Sequence, residues 1–300
     1  MVTATEARFD AEKAIDRLDP AEAVSVLIEA QCSAASVVSQ ACPEILGAAA
    51  AVAKSISGGG RVLYCGAGSS GLMALADALE LPGTFGIAQD RAMAVIAGGV
   101  ASLSDLAGGY EDDRDAGGND LRSAGLAQGD CVIVVAASGR TPYALGAAES
   151  AKAAGATVIA LANNAGTPLL ATADIPILLA TASEPLAGST RLGAGTAQKI
   201  ALNTISTMAG VLLGQVHDGL MVGLRADNMK LRDRAVRVVG EISGVDRAGA
   251  EEALAKSGGE VKTAVLLARG AASADEAKRS LDRAGQNLRK ALELSGLTPQ

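Results

Sequence analysis

The chain has 300 residues and carries 26 basic against 33 acidic side chains, a formal charge of −7, with a single histidine. Apolar residues make up 49%, but there is no Trp and only two Phe and three Tyr, so Ala, Val, Leu and Ile must fill the core. No basic stripe interleaved with aromatics is present, which argues against nucleic acid as a ligand; an anion has to be held locally, by backbone N–H groups and a few placed side chains.

The opening residues, MVTATEARFDAEKAID, lack the apolar stretch of a signal peptide. No apolar run approaches about 18 residues, so no transmembrane helix is expected, and a soluble cytoplasmic protein is. Cys32, Cys42, Cys65 and Cys131 lie far apart with no C-x-x-C, which argues against a zinc site and a disulfide framework. Residues 20–55 show helical periodicity, broken near Cys42-Pro43. After Gly58-Gly59-Gly60 comes the strand RVLYC, followed by apolar runs at 93–96, 131–136, 157–161 and 175–179. Most are continuous rather than alternating, as in a parallel sheet covered on both faces. Helical stretches separate them, 141–154 being the clearest, and this alternation predicts an α/β doubly wound sheet. From 193 to about 244 the pattern turns helical, and GTAQKIALNTISTMAGVLLGQVHDGLM reads as one long, largely buried helix with His217 late in it. Beyond Gly244 come three or four short amphipathic helices, one of them SGGEVKTAVLLARG with glycine at both ends. The expected division is a helical segment over 1–55, a sheet domain over 56–243 and a small helical domain over 244–300.

The stretch CGAGSSG, 65–71, stands between a strand and a helix, and its spacing fits G-x-G-x-x-G. A dinucleotide site also wants an acidic residue at the end of the second strand. That strand ends in Ala97-Gly98-Gly99, and Asp90 precedes it, so a nicotinamide or flavin site is not expected. Later strand ends repeat the theme with hydroxyls. Ser138-Gly139-Arg140-Thr141 follows the third strand, and Ser189-Thr190 follows the fifth after a longer loop. Loops at the carboxyl ends of parallel strands meet around one crevice. With Gly68, Ser69 and Ser70 they make a cup for one phosphate and the hydroxyls of a sugar. Taken singly, each such loop is explained as well by helix capping. Lys199 and Arg191 are candidates to face the phosphate.

These residues carry a resemblance. GAGSSG, ASGRTPY and GSTRLGAGTAQKIALNTIST resemble the sugar isomerase (SIS) fold, and within it the N-acetylmuramic acid 6-phosphate etherase family, which is related to the glucokinase regulatory protein. DALELPGTFG (77–86), VIAGG (95–99), GGYEDD (108–113) and the stretch 217–239 match as well, so the likeness covers almost the whole chain. It implies a five-stranded parallel sheet flanked by helices, a homodimer with its active site near the subunit interface, and no metal or redox cofactor. It implies cleavage of the D-lactyl ether of N-acetylmuramic acid 6-phosphate to N-acetylglucosamine 6-phosphate and D-lactate. It also implies two catalytic carboxylates, Glu80 as acid for the leaving group and Glu111 as base.

Without the resemblance, Glu80 reads as a solvated residue closing a helix before Leu81-Pro82, and Glu111 as part of an exposed acidic run. The chain departs from the family at several places. An arginine is missing where Leu72 stands, serine and cysteine are replaced by Leu79 and Leu81, a proline by Gly83, and the N-terminal TE-x-RN motif ends in Phe9. Two other classes stay open on the residues: a non-catalytic sugar-phosphate sensor and an aldose–ketose isomerase.

Overall fold

The computed structural model describes residues 4–10, 14–103, 108–224 and 229–297. Helices α1 (Pro20–Val37) and α2 (Cys42–Ser57) are joined by a 3-10 turn over Val38–Ala41. The sheet follows: β1 (Val62–Gly66), α3 (Gly68–Phe85), β2 (Ala92–Ile96), α4 (Arg114–Ser123), β3 (Cys131–Val135), α5 (Pro142–Ala153), β4 (Thr157–Ala162), α6 (Pro168–Thr172) and β5 (Ile175–Leu178). The five strands are parallel, in the order β2-β1-β3-β4-β5. The chain steps outward from β1 to β2 and returns to β3 on the other side of β1. That reversal is the switch point at which open parallel sheets bind ligands. Gly66 is level with both Ile96 and Val135, so the loops after β1, β2 and β3 leave the sheet at one height.

β1 and β3 are buried along their whole length, which explains their unbroken apolar runs. Successive side chains point to opposite faces. Leu63, Cys65, Val132, Val134, Val158 and Ala160 join Leu121, Tyr143 and Leu169 of α4–α6 in one core. Tyr64 points the other way and donates its O–H to Asp77 of α3 at 2.8 Å. Burial pushes the Cys65 thiol up, and that of Cys131 up to about 12, so neither is a thiolate nucleophile near neutral pH.

At the lower rim, Asp130 is almost fully buried and pairs with Arg61 at 2.7 Å. Burial works to raise the Asp130 pKa. Hydrogen bonds from the Arg61 side chain and from the N–H groups of Ala127 and Arg61 outweigh it and hold the carboxyl below its usual range. A depressed folded pKa stabilises above the unfolded value near 4, and that stability is lost as pH falls through the folded value. The urea midpoint of the wild type is therefore expected to drop on acidification below about pH 4. In Asp130→Asn this part of the drop is absent and the midpoint is lower at neutral pH; parallel acid profiles in the two proteins would refute the assignment.

The chain divides into two compact units, residues 1–79 with 90–208, and residues 80–89 with 209–300. The second has its own core of Val238, Val239, Ile242, Val265, Leu266, Leu281, Leu288 and Leu292. Helix α7 (Gly193–Leu212) stops short of the single long helix expected, and a hairpin, β6 (Val216–His217) and β7 (Leu220–Met221), takes its place. The cause is local. Asp218 and Gly219 adopt φ of 49° and 76°, the left-handed pair that a two-residue hairpin turn demands. His217 thus lies in a strand, buried, and that burial holds its pKa below the ordinary histidine value. Helices α8 (Met229–Ser243), α9 (Arg247–Lys256), α10 (Val261–Ala268), α11 (Ala274–Arg283) and α12 (Leu288–Leu294) complete the unit. Asp246, Ser273 and Asn287 cap the starts of α9, α11 and α12. Residues 225–228 of the matching stretch 217–239 lie outside the described residues.

Two further expectations change. Helix α3 does not close at Glu80 but runs through Pro82 to Phe85. The 38-residue helical stretch Pro20–Ser57 is long and apolar enough, by length and composition, to cross a membrane. Counting continuous apolar runs missed it because its Val, Ile and Leu are spread among Ala, Ser and Gln. Val24, Ile28 and Leu46 on this stretch are exposed in the single chain.

Candidate active site

The first loop of the carboxyl edge is the turn from β1 into α3. A side chain on Gly66 would stand 3.0 Å from the Gly71 nitrogen, so strand and helix meet backbone to backbone there. Gly68 is exposed, Ser69 half-buried and Ser70 buried at the helix start. Leu72, in place of the expected arginine, is half-buried in the next turn.

The second loop follows β3, beside the first. Ser138 Oγ accepts the Arg140 N–H at 3.1 Å and lies 3.3 Å from Thr141 Oγ1. Gly139 has φ +64°, and a Cβ there would come within 2.6 Å of Thr167 Cβ, so no other residue fits this turn without a shift. Thr141 is the N-cap of α5 but makes no side-chain capping bond. The first N–H groups of α5 therefore keep their capacity for an anion. Arg140 is exposed and Thr141 half-buried.

The third loop differs. Glu184, 2% exposed, accepts the Gly193 N–H at 2.9 Å and the Ala194 N–H at 2.8 Å. Its carboxylate occupies the positive end of α7, where a bound anion would otherwise sit. Ser189 and Thr190 lie half-buried in the turn before α7, whose backbone is tied by Gly195 N–H to Thr190 O at 2.8 Å. Lys199 is exposed nearly two turns into α7, and Arg191 is exposed as well.

Buried amides join this loop to the end of β4. Asn163 donates to the Leu179 carbonyl at 3.1 Å, which fixes its Oδ1 as acceptor for Gln198 Nε2 at 2.9 Å. Asn164 donates to Ala137 O at 3.1 Å and to Thr5 Oγ1 at 2.9 Å, anchoring the N-terminal segment at the same edge. On the Tyr64 face, Asp77 accepts from Asn203 at 2.6 Å and Ser206 at 2.9 Å besides Tyr64, linking α3, α7 and β1. Asp77→Ala strands three donors, two of them buried, and is expected to cost about 3 kcal/mol of unfolding free energy. Urea denaturation checks this; a loss under about 1 kcal/mol would show the cluster to be dispensable.

Glu111 is exposed, in the 3-10 turn Gly108–Asp112 that follows β2. Glu80 is also exposed, but α3 leaves the edge at Gly68, and Glu80 comes about three turns, roughly 18 Å of helix rise, further on. The loops after β1 and β3 thus carry Gly68–Ser70 and Ser138–Thr141, Ser189 and Thr190 stand in the turn before α7, Glu111 lies in the 3-10 turn between β2 and α4, and Glu80 lies further along α3. Glu184, Asn163, Asn164, Gln198 and Asp77 were not singled out from sequence; their partners lie far along the chain, and nothing local marks them. Among the described residues no group of three or more His, Cys, Asp or Glu gathers as metal ligands.

The parallel sheet, with hydroxyl-bearing turns and an open helix start at its switch point, is a doubly wound α/β domain, and residues 28–163 match the SIS domain family. The etherase of Deinococcus radiodurans, named N-acetylmuramic acid 6-phosphate etherase, is 45% identical over 278 residues, 93% of this chain and 91% of that one. Its namesakes from Mycolicibacterium smegmatis and Erwinia tasmaniensis are 40% and 42% identical, over 96% and 95% of this chain and 97% and 94% of theirs. Among solved structures, a phosphoheptose isomerase from Francisella tularensis aligns with a TM-score of 0.49 at 23% identity, covering 65% of this chain and 98% of that one. The chain belongs to the N-acetylmuramic acid 6-phosphate etherase family.

Proposed function

We propose that this chain is a carbon–oxygen lyase that cleaves the D-lactyl ether of N-acetylmuramic acid 6-phosphate, giving N-acetylglucosamine 6-phosphate and D-lactate. The observation that carries this is near-full-length identity of 45% to a protein of that name, with both expected glutamates present. The 6-phosphate sits on the turns after β1 and β3, held by Ser69, Ser70, Ser138, Thr141 and the open start of α5. Glu184 already fills the start of α7, which leaves Ser189, Thr190 and Lys199 for the rest of the sugar.

Opening of the sugar ring exposes an aldehyde that acidifies the C2–H. Glu111 takes that proton. The electron pair forms the C2–C3 double bond and expels the lactyl oxygen from C3, and Glu80 protonates that oxygen as D-lactate leaves. Water then adds at C3 and a proton returns to C2, so the lactate keeps the ether oxygen. Acid and base need opposite protonation states at one pH, which environment has to supply.

The working unit is a homodimer in the cytoplasm. Exposed Val24, Ile28 and Leu46 on Pro20–Ser57 support a copy-to-copy face there rather than a membrane span, and exposed Leu79 flanks Glu80. Glu80, three turns from its own edge loops, serves the partner's site. The deciding experiment incubates purified protein with N-acetylmuramic acid 6-phosphate and assays D-lactate. Turnover, with oxygen from labelled water appearing in the sugar and not in the lactate, is expected. Tight binding without turnover would instead make the chain a sensor.

A further inference from the structure

The segment bearing Glu111 and the loop bearing Ser138–Thr141 are followed at once by two helices that touch without side chains between them. Glu111 stands three residues before α4, whose start is capped by Asp113 through the Ala116 N–H at 2.9 Å. Thr141 immediately precedes α5. A Cβ placed on Gly117 would overlap the Tyr143 carbonyl oxygen and stand 3.0 Å from the Ala147 nitrogen. One placed on Gly146 would overlap the Arg114 carbonyl oxygen. Both contacts involve the first turns, Arg114–Gly117 on one side and Tyr143–Gly146 on the other. Side chains then lock the crossing: the buried Tyr143 donates its O–H to Asp120 at 2.8 Å, Arg122 donates to Ser150 at 2.8 Å, and Arg114 pairs with Glu149.

Backbone contact between packed elements is stiff, because nothing compressible lies between them. Neither Glu111 nor the loop is held by this crossing directly; each is held through the first turn that it leads into. We propose that the glycine crossing of α4 and α5, fastened by the Tyr143–Asp120 hydrogen bond, is the gauge that sets the Glu111 carboxylate against the phosphate cup. Gly117, Gly146, Tyr143 and Asp120 are thereby positioning residues. This rests on the reading of Glu111 as base. The chemistry makes such a gauge necessary: the phosphate is on C6, the proton to be removed is on C2, and a misplacement of about 1 Å costs a proton transfer roughly 100-fold.

The test compares Tyr143→Phe, Gly117→Ala and Glu111→Gln, each with D-lactate release, exchange of the C2 proton with deuterated solvent, and inhibition by inorganic phosphate. Tyr143→Phe keeps the ring and loses only the bond. It is expected to lower kcat about 10-fold, with KM and the phosphate inhibition constant within about 2-fold and C2 exchange falling in step. Gly117→Ala is expected to lower kcat by about 100-fold or more in the same pattern; should it not fold, Tyr143→Phe decides. A purely structural role would lower the melting temperature and leave kcat per folded molecule intact. The proposal is overturned if Tyr143→Phe keeps kcat within about 2-fold, or if the loss falls on KM while kcat holds. Glu111→Gln separates the two failures. If it is inactive while Tyr143→Phe is fully active, the gauge alone is wrong; if it retains release, the assignment of the base is wrong and the gauge falls with it.

Discussion

Glu111→Ala is expected to suppress both D-lactate release and C2 proton exchange, whereas Glu80→Ala stops release and leaves exchange running. A positioned general acid or base contributes roughly 10²- to 10⁴-fold, so each loss of lactate release is expected in that range. The two signatures differ because the base acts before the leaving group departs. Without the acid, the C2 carbanion still forms, waits and takes a proton back from solvent. A deuterium-exchange time course by mass spectrometry, run beside the lactate assay, reads both. Full release in either variant would remove that residue from the mechanism. Exchange lost in Glu80→Ala but kept in Glu111→Ala would reverse the two roles.

Mixing the two dead variants is expected to restore activity. In a two-fold symmetric dimer each site takes the same patches from opposite subunits. If Glu80 comes from one chain and Glu111 from the other, a mixed dimer holds one site with both glutamates intact and one with neither. Random pairing makes half of the dimers mixed, so co-refolded Glu80→Ala and Glu111→Ala recover about a quarter of wild-type turnover. If both glutamates serve one site from one chain, every site lacks a carboxylate and nothing is recovered. The length of α3 motivates this expectation. A phosphohexose spans well under the roughly 18 Å of helix between Gly68 and Glu80.

The sheet and its edge loops were legible because their signals are local. Continuous runs such as CVIVV report burial on both faces, and GAGSSG or SGRTP report a strand turning into a helix. The hairpin carried a local signal too, Asp218-Gly219, but the apolar residues on either side continue the helical period of α7 and masked it. Pro82 argued for a helix end, yet α3 continues through it, because a proline costs one donor and its neighbours can still hold the turn. The polar joints could not be read in this way. Glu184 meets Gly193 and Ala194, Gln198 meets Asn163, and Asp77 meets Asn203 and Ser206 only once the sheet has set their elements side by side. The acidic run at 111–115 looked uniform, but Asp113 in it is a helix cap and Glu111 rides on the turn before it.

The Glu184 carboxylate at the head of α7 has a bearing on which metabolites compete for the pocket. A fold of this kind offers several electropositive seats, and here the polypeptide has closed one with its own anion. On the proposed function, hexoses carrying two phosphoryl groups are expected to gain no second anchor at the start of α7. On that reading a preference for monophosphorylated sugars is set by the polypeptide before any substrate arrives.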